Sequence, residues 1–345
     1  MHYFTRKVQG VCMKAGFKVL AMLIICLSIA VMLWGDAEPQ TIVLGGKAVV
    51  MVADVVYAFP ELRSKVIAVA GTDQGLGTFL EIVSPGFLSK PQPDRNASVE
   101  TYAGYKADLY IFKSTMKPSL GKGLEDLGFK VLYMDLESPD DYYKDITALG
   151  RRFGLESRAN ALVNFYRTKI ALVQNLKKPE RLPKVLVVQF SADGLMVPPD
   201  TWMQTRMVAM AGGIPIWKGS NPGSSWAKVN PEQLMAWNPD VMLVINYRED
   251  ARGSAQKILQ DNAYKALTAV KNSKVFGFAQ DFYSWDQPDT RWILGLLWIA
   301  KKINPEGAKD INIQEEAFAF YNFFYNIERA VFNEKIVVKF GGDIE

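Results

Sequence analysis

The chain is poor in the side chains that most often do chemistry: its 345 residues include two cysteines and one histidine. The cysteines are Cys12 and Cys26, and the histidine is His2. From residue 38 onward there is neither thiol nor imidazole. That excludes disulfides, thiolate metal sites, cysteine nucleophiles, histidine-held zinc and Ser-His-Asp catalysis from this part of the chain. Excess charge is missing too. There are 40 basic and 36 acidic side chains, for a net charge of +4. Arg6, Lys7, Lys14 and Lys18 precede residue 19, and Asp36 is the one acid before residue 38, so the remainder carries 36 bases against 35 acids. A nearly neutral body with no basic cluster interleaved with aromatics excludes a nucleic-acid partner. A nucleophile elbow and a dinucleotide-binding glycine pattern are also lacking. What is present is a folding composition, 49% hydrophobic and 22% charged, at a length that accommodates two domains.

The first 37 residues read as an export segment. Basic residues precede an apolar run, Val19 to Trp34, broken by Ser28. Gly35-Asp36-Ala37 then offers small residues suited to cleavage before Glu38. An uncleaved anchor is the second reading. Lipidation at Cys26, after Leu23-Ile24-Ile25, is the third, since the cysteine sits inside the apolar run rather than at its end.

Beyond this segment, short apolar runs recur at Lys65–Ala70, Leu109–Phe112, Lys130–Met134, Lys184–Phe190, Val241–Ile245 and Lys274–Phe278. Near-continuous apolar strands separated by helical patterns predict an α/β fold with doubly wound parallel sheets. A repeat divides them into two lobes. Val99-Glu100 through Asp108 and its strand matches Pro231-Glu232 through Asp240 and its strand, at an offset of 132 residues. Between the lobes, Ser138-Pro139-Asp140-Asp141 is a helix start with a hydroxyl cap and acids at the positive end. Tyr142, Ile146, Leu149 and Phe153 continue at helical spacing. Gly154 permits a break, and Leu155 through Val173 form a second helical stripe long enough to act as a strut. The spacing predicts two more helices, from Pro288 to Ile303 and from Ile313 to Phe332. The expected plan is an export segment at 1–37, an N-terminal lobe at 38–137, a linking helix at 138–180 and a C-terminal lobe with terminal helices at 181–345.

Five elements in this order carry a resemblance: Arg63–Val69, Val99-Glu100 to Ala107-Asp108, the strut helix, Asn230-Pro231-Glu232 to Pro239-Asp240, and Trp285-Asp286-Gln287-Pro288-Asp289-Thr290-Arg291. The chain resembles the helix-linked (class III) substrate-binding proteins of ABC importers for iron–siderophore complexes, cobalamin and haem, over residues 40–335. It departs from that pattern at Ala107, where the family has proline, and at Thr72-Asp73-Gln74-Gly75-Leu76-Gly77. The resemblance implies a non-catalytic, extracytoplasmic monomer without a cofactor, which captures a metal chelate between its lobes and hands it to permease subunits in the membrane. The absence of histidine argues against a naked transition metal. The order of expectation is therefore ferric siderophore, then corrinoid or haem, then a nickel chelate or molybdate. An enzyme on the same fold and an anchored structural surface protein are the rivals from other classes.

Candidate ligand residues follow from position and chemistry. Gln74 and Met116 lie beyond predicted strand ends in the first lobe, as do Asp73, Lys113, Ser114 and Thr115. In the second lobe, Trp202, Trp226, Tyr283 and Trp285 offer aromatic faces, and Arg248 and Arg291 offer guanidinium forks for anionic groups. Each has a plain structural alternative, core packing for the indoles and a salt bridge for Arg291. The resemblance further implies that Glu100 and Glu232 dock against the permease, where the alternative is a first-turn helix acid.

Overall fold

The computed structural model describes residues 38–345 apart from Asp73, Gln74, Leu76 and Asp193, and residues Gln40–Glu345 form one compact unit. The expectations for residues 1–37 and for Gln74 fall outside the described residues. Among those described, no helix is long and apolar enough to cross a membrane.

The apolar runs become strands, and they assemble into two sheets with a shared plan. In the first sheet, β1 (Ile42–Leu44), β2 (Val66–Val69), β3 (Leu109–Lys113) and β4 (Val131–Met134) are ordered β2-β1-β3-β4, with every pairing parallel. The second sheet contains β5 (Lys184–Ser191), β6 (Gly194–Val197), β7 (Ile214–Pro215), β8 (Ala227–Lys228), β9 (Val241–Ile245) and β10 (Val275–Gly277). Its parallel part runs β7-β5-β9-β10, which is the same order as the first sheet. To this it adds β6, antiparallel on β5, and β8, antiparallel on β6. The sequence reading missed β1, because three apolar residues before Gly45-Gly46 are too short a run to register. It also missed the β6–β8 addition.

The repeated aspartates have one physical job. Asp108, just before β3, accepts from the backbone N–H of Gln40 and Thr41 at 2.9 and 3.0 Å. Asp240, just before β9, accepts from the Lys184 N–H at 2.7 Å. Each carboxylate clamps the start of the neighbouring central strand, where backbone donors have no ladder partner of their own.

The linking stretch is two helices, Pro139–Arg152 and Glu156–Gln174. Ser138 caps the first by accepting from the Asp141 N–H, and Gly154 turns the chain at φ +63°. Gly150 is obligatory for their close approach, since a Cβ there would stand 2.5 Å from that of Ala159. The 19-residue second helix spans about 28 Å at 1.5 Å per residue. Arg158 on it donates to the carbonyl of Ala58 in the first lobe and to those of Phe323 and Phe324 near the C-terminus. The terminal helices are Trp292–Ile303 and Ile313–Tyr325. The second returns to the first lobe, where Phe79 packs edge-on against Tyr325 at 4.8 Å.

Candidate ligand cleft

Ligands of open α/β sheets collect beyond the carboxyl ends of the strands, and both lobes have a cavity there. In the first lobe, a cavity of about 320 Å³ is lined by Lys47, Met51, Gly71, Thr72, Arg95 and Gln287, among others. Its walls follow β1 and β2. Lys47 belongs to the turn Gly45-Gly46-Lys47-Ala48 that leads into the helix Val49–Tyr57. In the second lobe, a larger cavity of about 790 Å³ lies beyond β5 and β9, lined by Phe190, Met196, Tyr247, Arg248 and Lys257 with their neighbours. Tyr247 of that lining ends a series of three rings. Trp202 meets Trp226 at 5.9 Å and 87°, and Trp226 meets Tyr247 at 6.2 Å and 68°. All three are half-buried, while Arg248 is exposed.

Between these walls runs a stretch without helix or strand that is wholly buried, Phe278 to Arg291. A buried loop must satisfy its backbone, and here other elements do so. Gln280 exchanges backbone bonds with Gly341, Tyr142 donates its hydroxyl to the Pro288 carbonyl, and Tyr166 donates to that of Thr290. The loop reaches the first lobe through Arg291. Its guanidinium pairs with Asp54 at 2.5 Å, Asp281 at 3.1 Å and Asp289 at 3.4 Å, all fully buried. The cation also lies over the Phe79 ring at 4.5 Å from its centroid. A dry site disfavours the ionised form of a carboxyl. Burial pushes the Asp54 carboxyl up and that of Asp289 up to about 8, with Arg291 opposing both shifts.

This geometry revises part of the sequence reading. Arg291 is the centre of an interlobe ion cluster, not a free fork for a ligand, so its plain alternative is the correct one. Trp285 is fully buried, donates its indole N–H to Asp281 at 2.9 Å and packs on Phe340. The polar look of Asp281–Arg291 suggested an exposed loop, but Asp281 and Asp289 pair with Arg291 inside the molecule and Asp286 is held by hydrogen bonds. Tyr283 is 7% exposed and lies against the Arg291 guanidinium and close to Gly75. Lys113 turns back to Glu137 at 2.6 Å. Met116 sits half-buried against the Gly45-Gly46 turn, beyond β3. Trp202 and Trp226 pack together in the ring series that ends at Tyr247, and Arg248 lines the second-lobe cavity beside Tyr247. Glu100 and Glu232 are both exposed in the first turns of the helices Val99–Ala103 and Pro231–Trp237. Sequence reasoning missed Lys47, Asp54, Arg95, Tyr247 and Gln287. Of these only Asp54 carried a signal, as a lone charge in Val49–Tyr57.

Two α/β lobes of like topology, a strut and cavities at the strand ends are the frame of a solute receptor. A family model described as periplasmic binding protein matches residues 88–281. The chain belongs to this family. It is a substrate-binding protein, and its relatives are binders rather than catalysts. An uncharacterized ABC transporter substrate-binding lipoprotein, YvrC of Bacillus subtilis, is 26% identical over 228 residues, covering 63% of this chain and 68% of that protein. The molybdate-binding protein MolA of Haemophilus influenzae is 29% identical over 99 residues, covering 28% of this chain and 27% of that protein. The fold is shared with a periplasmic solute binding protein from Veillonella parvula at a TM-score of 0.69 and 21% identity, covering 88% of this chain and 93% of that one. The expected family and two-lobe fold are therefore both found.

Proposed function

We propose that this periplasmic binding protein works outside the cytoplasm as the capture component of an ABC importer, and that its ligand is an anionic metal chelate, a ferric siderophore first. The observation that carries the ligand class is the second-lobe cavity. At about 790 Å³ it falls within the range of sites for drug-sized molecules, and a bare tetrahedral oxyanion would leave most of it empty. Phe190 and Tyr247 of its lining, with the Trp202–Trp226 pair packed on Tyr247, suit the flat faces of catecholate or tetrapyrrole groups. Arg248 with Lys257, against Glu249 as the single acid among the described lining residues, suits their negative charge. Lys47 and Arg95 line the first-lobe cavity with charge of the same sign.

A second reading, a molybdate-type oxyanion, is favoured by the first-lobe turn. Gly45-Gly46-Lys47 delivers a lysine beside the start of a nine-residue helix, where backbone N–H groups attract anions. One thermal-shift panel separates the readings: ferric tris-catecholate, ferric tris-hydroxamate, cobalamin, haem, nickel–histidine and molybdate. A ligand that binds only the folded state raises Tm by mass action. A response to a ferric siderophore alone supports the first reading, a response to molybdate alone replaces it, and silence across the panel removes the chelate assignment.

Delivery requires contact with the permease, and Glu100 with Glu232 is the proposed docking pair. Both sit at the N-terminal ends of corresponding helices, one per lobe, and both are exposed. Reversing both charges is expected to abolish uptake in cells while leaving ligand affinity intact; normal uptake by the double variant refutes the docking role.

A further inference from the structure

Asp286 is a second buried carboxylate centre, separate from the Arg291 cluster and, among the described residues, without a paired cation. It is fully buried. Its Oδ2 accepts two hydrogen bonds, from the Tyr247 hydroxyl at 2.7 Å and from the Gln204 side-chain amide at 2.8 Å. Among the described residues its Oδ1 has no hydrogen-bond partner, and neither has the Gln204 carbonyl oxygen. As a stability device this is poor chemistry, because a buried carboxylate is costly unless it is paired and fully bonded. What it does hold is informative. Tyr247 follows β9 and forms one end of the aromatic series. Gln204 lies on the helix Met203–Met210, which begins directly after Trp202, the other end. One oxygen atom therefore holds Tyr247 directly and the first turn of the helix that starts at Trp202.

We propose that Asp286 is a positioning residue for ligand capture: by gripping Tyr247 and Gln204 it sets the tilt of the three-ring wall that receives the ligand. The inference rests on the reading of that wall as the ligand face. The carboxylate suits the task because a charged acceptor makes hydrogen bonds about twice as strong as a neutral one. It holds the hydroxyl of Tyr247, whose half-buried ring packs on Trp226. The groups that face it are Tyr247 from the end of β9, Gln204 from the Met203–Met210 helix, and Ser284 from its own loop. Burial outweighs their hydrogen bonds and pushes its carboxyl up to about 6. The grip therefore weakens between neutral and mildly acidic pH.

The test compares Asp286→Ala, Asp286→Asn, Tyr247→Phe and the Asp286→Ala/Tyr247→Phe double variant in the full-length protein. Without ligand, Trp226 fluorescence and near-ultraviolet circular dichroism report the wall directly. Asp286→Ala and Tyr247→Phe are each expected to change both spectra, and the change is expected to vanish in a Trp226→Phe background. Asp286→Asn, which keeps an oxygen acceptor, is expected to restore the spectra. Wild-type Trp226 emission is expected to titrate with a midpoint near pH 6, and Asp286→Asn to abolish that titration. With a ferric tris-catecholate as the probe, Asp286→Ala and Tyr247→Phe are each expected to weaken binding about tenfold, the double variant no further. Unchanged spectra in Asp286→Ala, or single-variant losses that add in the double variant, overturn the positioning role. If Asp286→Ala does not fold, Tyr247→Phe and Asp286→Asn decide alone, since both preserve shape. If the wild type ignores the probe, the siderophore reading fails while the spectra still decide the positioning role.

Discussion

The two lobes share a strand order but differ in how their cleft walls are made. The first-lobe wall consists of loops directly after β1 and β2, and Lys47 on it is exposed. The second lobe adds β6 and β8 to the same plan, and Trp202 and Trp226 lie in the chain between them, beside Tyr247. That wall is braced from behind by the buried loop Phe278–Arg291 through Asp286, and the same loop reaches across to Asp54. The comparison teaches a division of labour. On the proposed reading, one lobe contributes charge on a simple turn, suited to attracting a ligand at long range. The other contributes an aromatic surface with buried support, suited to discrimination by fit.

The comparison breaks most severely at the brace. Arg291→Met leaves Asp54, Asp281 and Asp289 facing one another in a dry interior, and the expected loss is about 3–5 kcal/mol of unfolding free energy, read from denaturant titration. A loss below about 1 kcal/mol would mean that the loop does not hold the lobes together.

The next largest effect is the pH dependence of the two buried carboxylate centres, one at Arg291 and one at Asp286. The carboxyls of Asp289 and Asp286 sit at about 8 and about 6 in the folded protein, above the unfolded value of about 3.9. The folded state therefore holds protons that the unfolded state releases. These groups destabilise progressively as pH rises from about 4 to about 8. Tm is expected to be higher at pH 5 than at pH 8 by several degrees, and Asp289→Asn to flatten the slope between pH 6 and 8. A Tm that climbs from pH 5 to 8 contradicts the picture of carboxyls kept neutral by burial.

The two walls themselves give the third contrast. Trp226→Ala is expected to weaken ligand binding at least tenfold at any ionic strength, as buried aromatic anchors do. Lys47→Ala is expected to cost a few-fold at low salt and almost nothing at 0.5 M, where the Debye length is about 4 Å. Equal salt sensitivity of the two variants would erase the distinction. Smallest of all, Glu100→Arg and Glu232→Arg are expected to change unfolding free energy by no more than about 0.5 kcal/mol each, since both side chains are exposed.

Much of the frame was legible in the chain. Six apolar runs gave six of the strands, and Gly154 marked the break between the linking helices. The Asp108–Asp240 repeat foretold two lobes of one plan because each aspartate answers the same backbone need at a central strand. Three residues of the second-lobe wall, Trp202, Trp226 and Arg248, were legible as large aromatics and a cation near strand ends. Tyr247 was not, because a tyrosine after a strand is commonplace until Asp286, 39 residues away, is seen to hold its hydroxyl.

By itself the sequence determined what chemistry is absent and which segments are strands, struts and repeats. These depend on residue type and on periodicity along the chain, which are local properties. Only the tertiary structure decided that Asp281–Arg291 is core rather than surface and that Arg291 serves the fold. Only it placed three rings from separate segments on one wall. A charged side chain looks the same in sequence whether water or a counter-charge surrounds it. The counter-charge for Arg291 includes Asp54, 237 residues distant in the chain, and burial of that kind is settled by three-dimensional neighbours alone.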